Sequence, residues 1–179
     1  MLAVESTVLV VIDVQEKLSR VIYQRETLVD NLQKLIKGVQ VLEVPVLLTE
    51  QYPQGLGSTI QEVAPLLTNI HPLPKVSFSC CGDEVFLQKL EVVGRKQVLI
   101  SGIESHVCVY QTVSDLINSG YEVHVVIDAI SSRTKENREI GLKMMTQLGA
   151  KITSTEAVLF ELLKVAEGDK FKSISRIVK

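Results

Sequence analysis

Cys108 lies in "SGIESHVCVYQT" (residues 101–112), where a buried-strand pattern gives way to a helical one. A thiol at such a junction is either a small core hydrophobe or a nucleophile. Ser105 reads as the N-cap of a helix starting at His106, which places Cys108 in its first turn. Unpaired N–H groups and the positive end of the helix dipole favour a thiolate there. Two charged residues in apolar surroundings pose similar choices. Asp13 interrupts "VLVVIDVQ", where a carboxylate is costly to bury unless paired or protonated. It is either a helix cap or half of a charge pair. Lys75 interrupts "PLPKVSF", and on a strand reading it and Val76 point to opposite faces. It is either a solvent-facing lysine or a residue aimed into a site.

The histidines do not complete a dyad with Cys108. His106 is two residues away, and such residues do not share a helix face. His124 alternates inside a strand pattern, and His71 sits in a Pro-rich stretch of no visible motif. Zinc needs His and Cys clustered at a repeated spacing. The neighbouring Cys80 and Cys81 offer at most one good ligand, with no second cluster. The glycines of "QYPQGLG" match neither a P-loop nor a dinucleotide fingerprint and read as a turn or lid. No metal and no cofactor are expected.

Short β-branched runs alternate with amphipathic segments along the whole chain. Strands are expected at "TVLVVID", "VPVLLTE", "PLPKVSF", "KQVLISG", "EVHVVIDA" and "AKITST". Helices are expected over 26–43 and near 83–92, 106–119, 135–148 and 155–164. This is the βαβ pattern, and it predicts an α/β fold: one Rossmann-like three-layer domain, a mostly parallel six-stranded sheet with helices on both faces. The domain spans residues 1–179, with a core over about 5–163 and a polar, frayed tail over 167–179. Ligands of such sheets bind beyond the carboxyl ends of the strands. Those ends carry Asp13, the "TEQYPQGLG" loop, Lys75 and "GIESHVC". Tyr52 and Phe78, near the same ends, are either pocket-lining or ordinary packing residues.

The chain has 179 residues and a net charge of −2, and its charges form no basic stripe. Nucleic acid and membrane surfaces are therefore not expected as partners. The apolar runs are of strand length, and no N-terminal targeting pattern is visible. Three cysteines, two of them adjacent, make a poor disulfide framework. These features predict a cytoplasmic protein with reduced thiols. The mean hydropathy of +0.24 fits a fully covered parallel sheet, part of the excess belonging to a subunit interface.

Three motifs, "VVIDVQ", "PKVSFS" and "SGIESHVCVYQT" followed by "LINSGYEVHVVIDAISSR", together resemble the isochorismatase-like cysteine hydrolases. That superfamily includes nicotinamidases and N-carbamoylsarcosine amidase. The resemblance implies a catalytic triad of Asp13, Lys75 and Cys108. It also implies a non-proline cis peptide at Ile103–Glu104 and an oxyanion hole made by the backbone N–H groups of Glu104 and Cys108. Asp13 would take the thiol proton and Lys75 would hold the carboxylate charged. Cys108 would attack an amide or related C–N bond to form a thioester.

Two departures narrow the expectation. Nicotinamidases carry an Asp/His/His metal site after the second strand, whereas "TEQYPQGLGST" contains no histidine. Isochorismatase proper lacks the nucleophilic cysteine that is present here. The chain therefore resembles the metal-free branch, with a small-molecule substrate and, as is common in the family, a homo-oligomeric state. The rival reading is a non-enzymatic scaffold or redox-sensing protein that keeps the fold and its thiol.

Overall fold

The computed structural model describes residues 1–179. Six strands form one sheet: β1 (Thr7–Ile12), β2 (Val46–Gln51), β3 (Leu73–Lys75), β4 (Gln97–Ile103), β5 (Glu122–Ser131) and β6 (Lys151–Thr153). All are parallel, in the order β3-β2-β1-β4-β5-β6. The helices are α1 (Glu16–Ser19), α2 (Arg25–Val41), α3 (Pro53–Leu56), α4 (Glu84–Val93), α5 (Tyr110–Asn118), α6 (Lys135–Gln147), α7 (Thr155–Leu163) and α8 (Gly168–Val178). None is long and apolar enough to cross a membrane.

Burial on both faces explains the unbroken apolar run of β1, since alternate residues serve two different cores. Leu9 and Val11 join Leu28, Leu32, Ile36 and Val39 of α2 and Leu159 of α7 on one side. Val8, Val10 and Ile12 join Phe86 and Leu90 of α4, Val113 and Leu116 of α5 and Met145 of α6 on the other. Side-chain caps define several helix starts. Asp83 accepts from Phe86 N, Thr134 from Asn137 N and Ser154 from Ala157 N.

Strand order reverses at β1, which lies between β2 and β4, and the carboxyl ends of β1 and β4 meet there. Gly102 makes the approach possible. It pairs with Ile12 at φ +111°, and a Cβ at this position would fall on the Ile12 carbonyl oxygen. The third strand is shorter than expected, at three residues. Pro74 has no N–H to donate, which confines this stretch to the sheet edge.

Residues 167–179 differ from the expected tail. Most of them form α8, with Ile174 fully buried and Ile177 and Val178 packed on the same core. The segment is polar in composition but carries an apolar stripe at helical spacing, and α2 and α7 supply the surface that covers it.

Candidate active site

Asp13 follows β1 with a left-handed φ of +53°, and its carboxylate is completely buried. Its Oδ2 accepts from Lys75 Nζ at 2.7 Å and its Oδ1 from Thr49 Oγ1 at 2.7 Å. It caps no helix. Lys75 closes β3 with its side chain 1% exposed, whereas Val76 is 83% exposed, so the two do point to opposite faces. The ammonium also donates to Gln51 Oε1 at 2.7 Å, Phe78 O at 3.0 Å and Ser77 O at 3.2 Å. Three protons directed at four acceptors leave Lys75 with none to spare.

Cys108 is buried in the same core cluster as Ile12 and Cys80. Burial, foremost, and then the Asp13 charge push its thiol up to about 12, with Lys75 pulling the other way. The Asp13–Lys75 pair and the thiol are therefore electrostatic neighbours. The expected helix start at His106 is not formed. Residues Ser105–Val109 make a π-helical turn, and α5 begins only at Tyr110. Ser105 caps nothing; its Oγ donates to Ser131 O at 2.9 Å. Cys108 is thus not in the first turn of an α-helix, and its resting thiol is protonated at neutral pH. A protonated thiol beside a carboxylate can still transfer its proton as it attacks an electrophile.

The turn is held from several sides. Val107 N and Val109 N both donate to Glu104 O, and Thr112 Oγ1 donates to Cys108 O at 2.7 Å. Gly141 of α6 lies directly against it; a Cβ there would sit 2.6 Å from the Ser105 carbonyl. The Ile103–Glu104 peptide is cis. The Glu104 carboxylate accepts from Arg133 N and Nε, each at 3.1 Å.

The Isochorismatase domain model matches residues 7–157. The chain belongs to the isochorismatase family. Among its relatives, the secreted isochorismatase effector Isc1 of Phytophthora sojae is 41% identical over 178 residues, covering 97% of this chain and 85% of the relative. A solved structure named MAR1 ribonuclease, from Caenorhabditis elegans, is 35% identical with a TM-score of 0.93, covering 99% of this chain and 91% of that one. The Escherichia coli YcaC product, described as an octameric hydrolase of unknown specificity, shares the fold. Its TM-score is 0.93 at 21% identity, over 98% of this chain and 88% of that one. The family fold supports a hydrolase function.

The histidines make no hydrogen bond to the Asp13–Lys75 pair. His106 Nδ1 is 3.0 Å from Ser132 Oγ, His124 Nε2 is 2.7 Å from Glu122 Oε1 in β5, and His71 is exposed before β3. No three His, Cys, Asp or Glu side chains group to hold a metal. All three cysteines are free. Tyr52 and Phe78 are each 54% exposed, and the Tyr52 ring lies against Gly55. Tyr52 lines a cleft of about 250 Å³ with Pro74, Lys75 and Asp83.

Sequence reasoning missed Thr49, Gln51 and Gln15. Gln51 N donates to Gln15 Oε1 at 2.8 Å, and Gln15 Nε2 donates back to Gln51 O at 2.9 Å. Gln51 thus holds Lys75 while being held by Gln15. The available signal was the polar run Thr49-Glu50-Gln51 closing a strand that begins Val46-Leu47-Leu48, in which Thr49 and Gln51 share one face.

Proposed function

We propose that this isochorismatase-family chain is a cysteine-dependent hydrolase that cleaves a small amide or related C–N bond through a thioester on Cys108. The observation that carries this reading is the fully buried Lys75–Asp13 pair, closed at 2.7 Å, beside a thiol that it acts on. Asp13 takes the thiol proton as Sγ attacks the carbonyl carbon. Lys75 compensates the Asp13 charge and takes no part in proton transfer, its donors being committed. The backbone N–H groups of Glu104 and Cys108 meet the negative charge arriving on the carbonyl oxygen. Collapse of the tetrahedral intermediate breaks the C–N bond; the amine leaves with the proton from Asp13, and an acyl thioester remains. Water then attacks the thioester and gives a proton to Asp13. The acid departs, and the proton returns to Sγ.

The nematode relative's name favours a second reading, phosphodiester cleavage in RNA. Against it, a net charge of −2 with no basic stripe lacks the phosphate attraction that RNA binding draws on. Homo-oligomeric association has support in the octameric YcaC product and in exposed apolar side chains such as Val76, Val92 and Phe160. The free thiols support a reducing, cytoplasmic setting, although one relative is named as secreted.

The test is turnover of a small-amide panel and of an RNA oligonucleotide by wild type and Cys108→Ala, with mass spectrometry of the Cys108 peptide. Amide hydrolysis with an acyl adduct on that peptide, both lost in the variant, supports the proposal. RNA cleavage that survives Cys108→Ala supports the second reading. Neither activity, with a free thiol throughout, supports the scaffold alternative.

A further inference from the structure

Strand β2 turns Thr49 and Gln51 toward the Lys75–Asp13 pair and Leu48 and Glu50 toward the opposite face of the sheet. Glu50 is only 8% exposed, yet it belongs to no ion pair. Its Oε1 accepts from Thr59 N at 2.6 Å and Thr59 Oγ1 at 2.7 Å. Its Oε2 takes no hydrogen bond from the chain. Nor is that oxygen sealed in the core, where every buried side-chain N or O atom has a partner. Glu50 instead lines a cleft of about 300 Å³ whose other walls are apolar at Leu48, Leu67, Ile70 and Pro72 and carry the hydroxyl side chains of Ser58, Thr59 and Thr68.

We propose that this cleft is a second binding site, for a small organic ammonium with a short apolar body, whose charged head pairs with Glu50 Oε2. A carboxylate this deeply buried needs both a compensating charge and donors for its free lone pairs. An ammonium supplies both, and the Thr68 hydroxyl offers an acceptor for a remaining N–H. The aliphatic walls favour burial of an alkyl group. A hard inorganic cation requires several converging oxygens, and with the Thr59 hydroxyl already donated to Glu50 Oε1 the cleft offers one carboxylate oxygen and the hydroxyls of Ser58 and Thr68, fewer side-chain oxygens than such an ion takes. The site lies across the sheet from Asp13, Lys75 and Cys108, so it is separate from the proposed hydrolytic chemistry and is read without turnover.

The test is calorimetric titration of the full chain with n-butylammonium chloride, with n-butanol as the neutral analogue and sodium chloride as the inorganic control. Saturable one-site binding of n-butylammonium alone is expected. Glu50→Gln keeps an oxygen for Thr59 and removes the charge, and it is expected to weaken binding at least about tenfold. A folded Glu50→Gln protein that binds as tightly as wild type overturns the proposal. So does equal binding of n-butanol, saturable binding of sodium, or no saturable binding of the amine. Should Glu50→Gln fail to fold, Ala64→Leu narrows the cleft from its exposed rim and leaves the carboxylate in place. A comparable loss is then expected, and unchanged affinity overturns the proposal.

Discussion

Lys75 Nζ and Asp13 Oδ2 lie 2.7 Å apart with their side chains 1% and 0% exposed, although 62 positions separate them in the chain. Removing one partner leaves an uncompensated charge in the core, which costs about 3–5 kcal/mol. Asp13→Asn and Lys75→Met are each expected to lower stability on that scale in urea denaturation, and hydrolysis by at least about 100-fold. The double variant should cost less than the two single losses combined. Strict additivity would mean that the pair is not coupled.

Thr49 has no role in the resemblance to the family, yet its hydroxyl donates to Asp13 Oδ1 at 2.7 Å. Thr49→Val keeps the shape and removes the donor. The expected loss is about 1–3 kcal/mol, the scale for stranding one buried acceptor, together with a lower kcat at nearly unchanged KM. A KM effect alone would place Thr49 at the substrate rather than behind Asp13.

Cys108→Ala separates packing from chemistry. Loss of one buried sulfur should cost about 1–2 kcal/mol and leave a folded protein, while covalent turnover disappears. A folded variant hydrolysing at near the wild-type rate would remove Cys108 from the mechanism.

Burial, first of all, raises Cys80 to about 11 from an ordinary 9.0. The folded state therefore holds this proton more tightly than the unfolded chain does. The resulting stability is fully present below pH 9.0, the unfolded value, and is lost as pH rises toward about 11. The melting temperature should fall through that window, and less steeply in Cys80→Ala. Identical slopes would show that Cys80 does not contribute.

Ile174 anchors α8 at 0% exposure. Ile174→Ala should cost about 2–5 kcal/mol, the range for truncating a buried aliphatic side chain. Proteolysis should then open the segment after Leu163 first. Undiminished stability would return residues 167–179 to the status of a tail.

The alternation of strands and helices was legible in the sequence because periodicity is a local property. A fully covered strand such as β1 reads as continuous Val, Leu and Ile, and α2 reads as Leu28, Leu32, Ile36 and Val39 on one face. The residue types at strand ends were legible for the same reason, since Asp13 and Lys75 stand out against apolar neighbours. The polar composition of residues 167–179 was misleading, because α8 is stable only where α2 and α7 meet its narrow apolar stripe. The turn around Cys108 also escaped. Ser105 has the chemistry of a cap, but a carbonyl from β5 takes its hydroxyl.

The sequence by itself thus determined the elements and the few chemically capable residues at their ends. Only the tertiary structure decided which of those residues meet. Asp13, Thr49 and Lys75 converge because β1, β2 and β3 stand side by side in one register. That register depends on burying both faces of a sheet assembled from distant segments. The state of the Cys108 thiol was likewise decided by its surroundings, because burial and the charges of Asp13 and Lys75 exist only once the chain has folded around it.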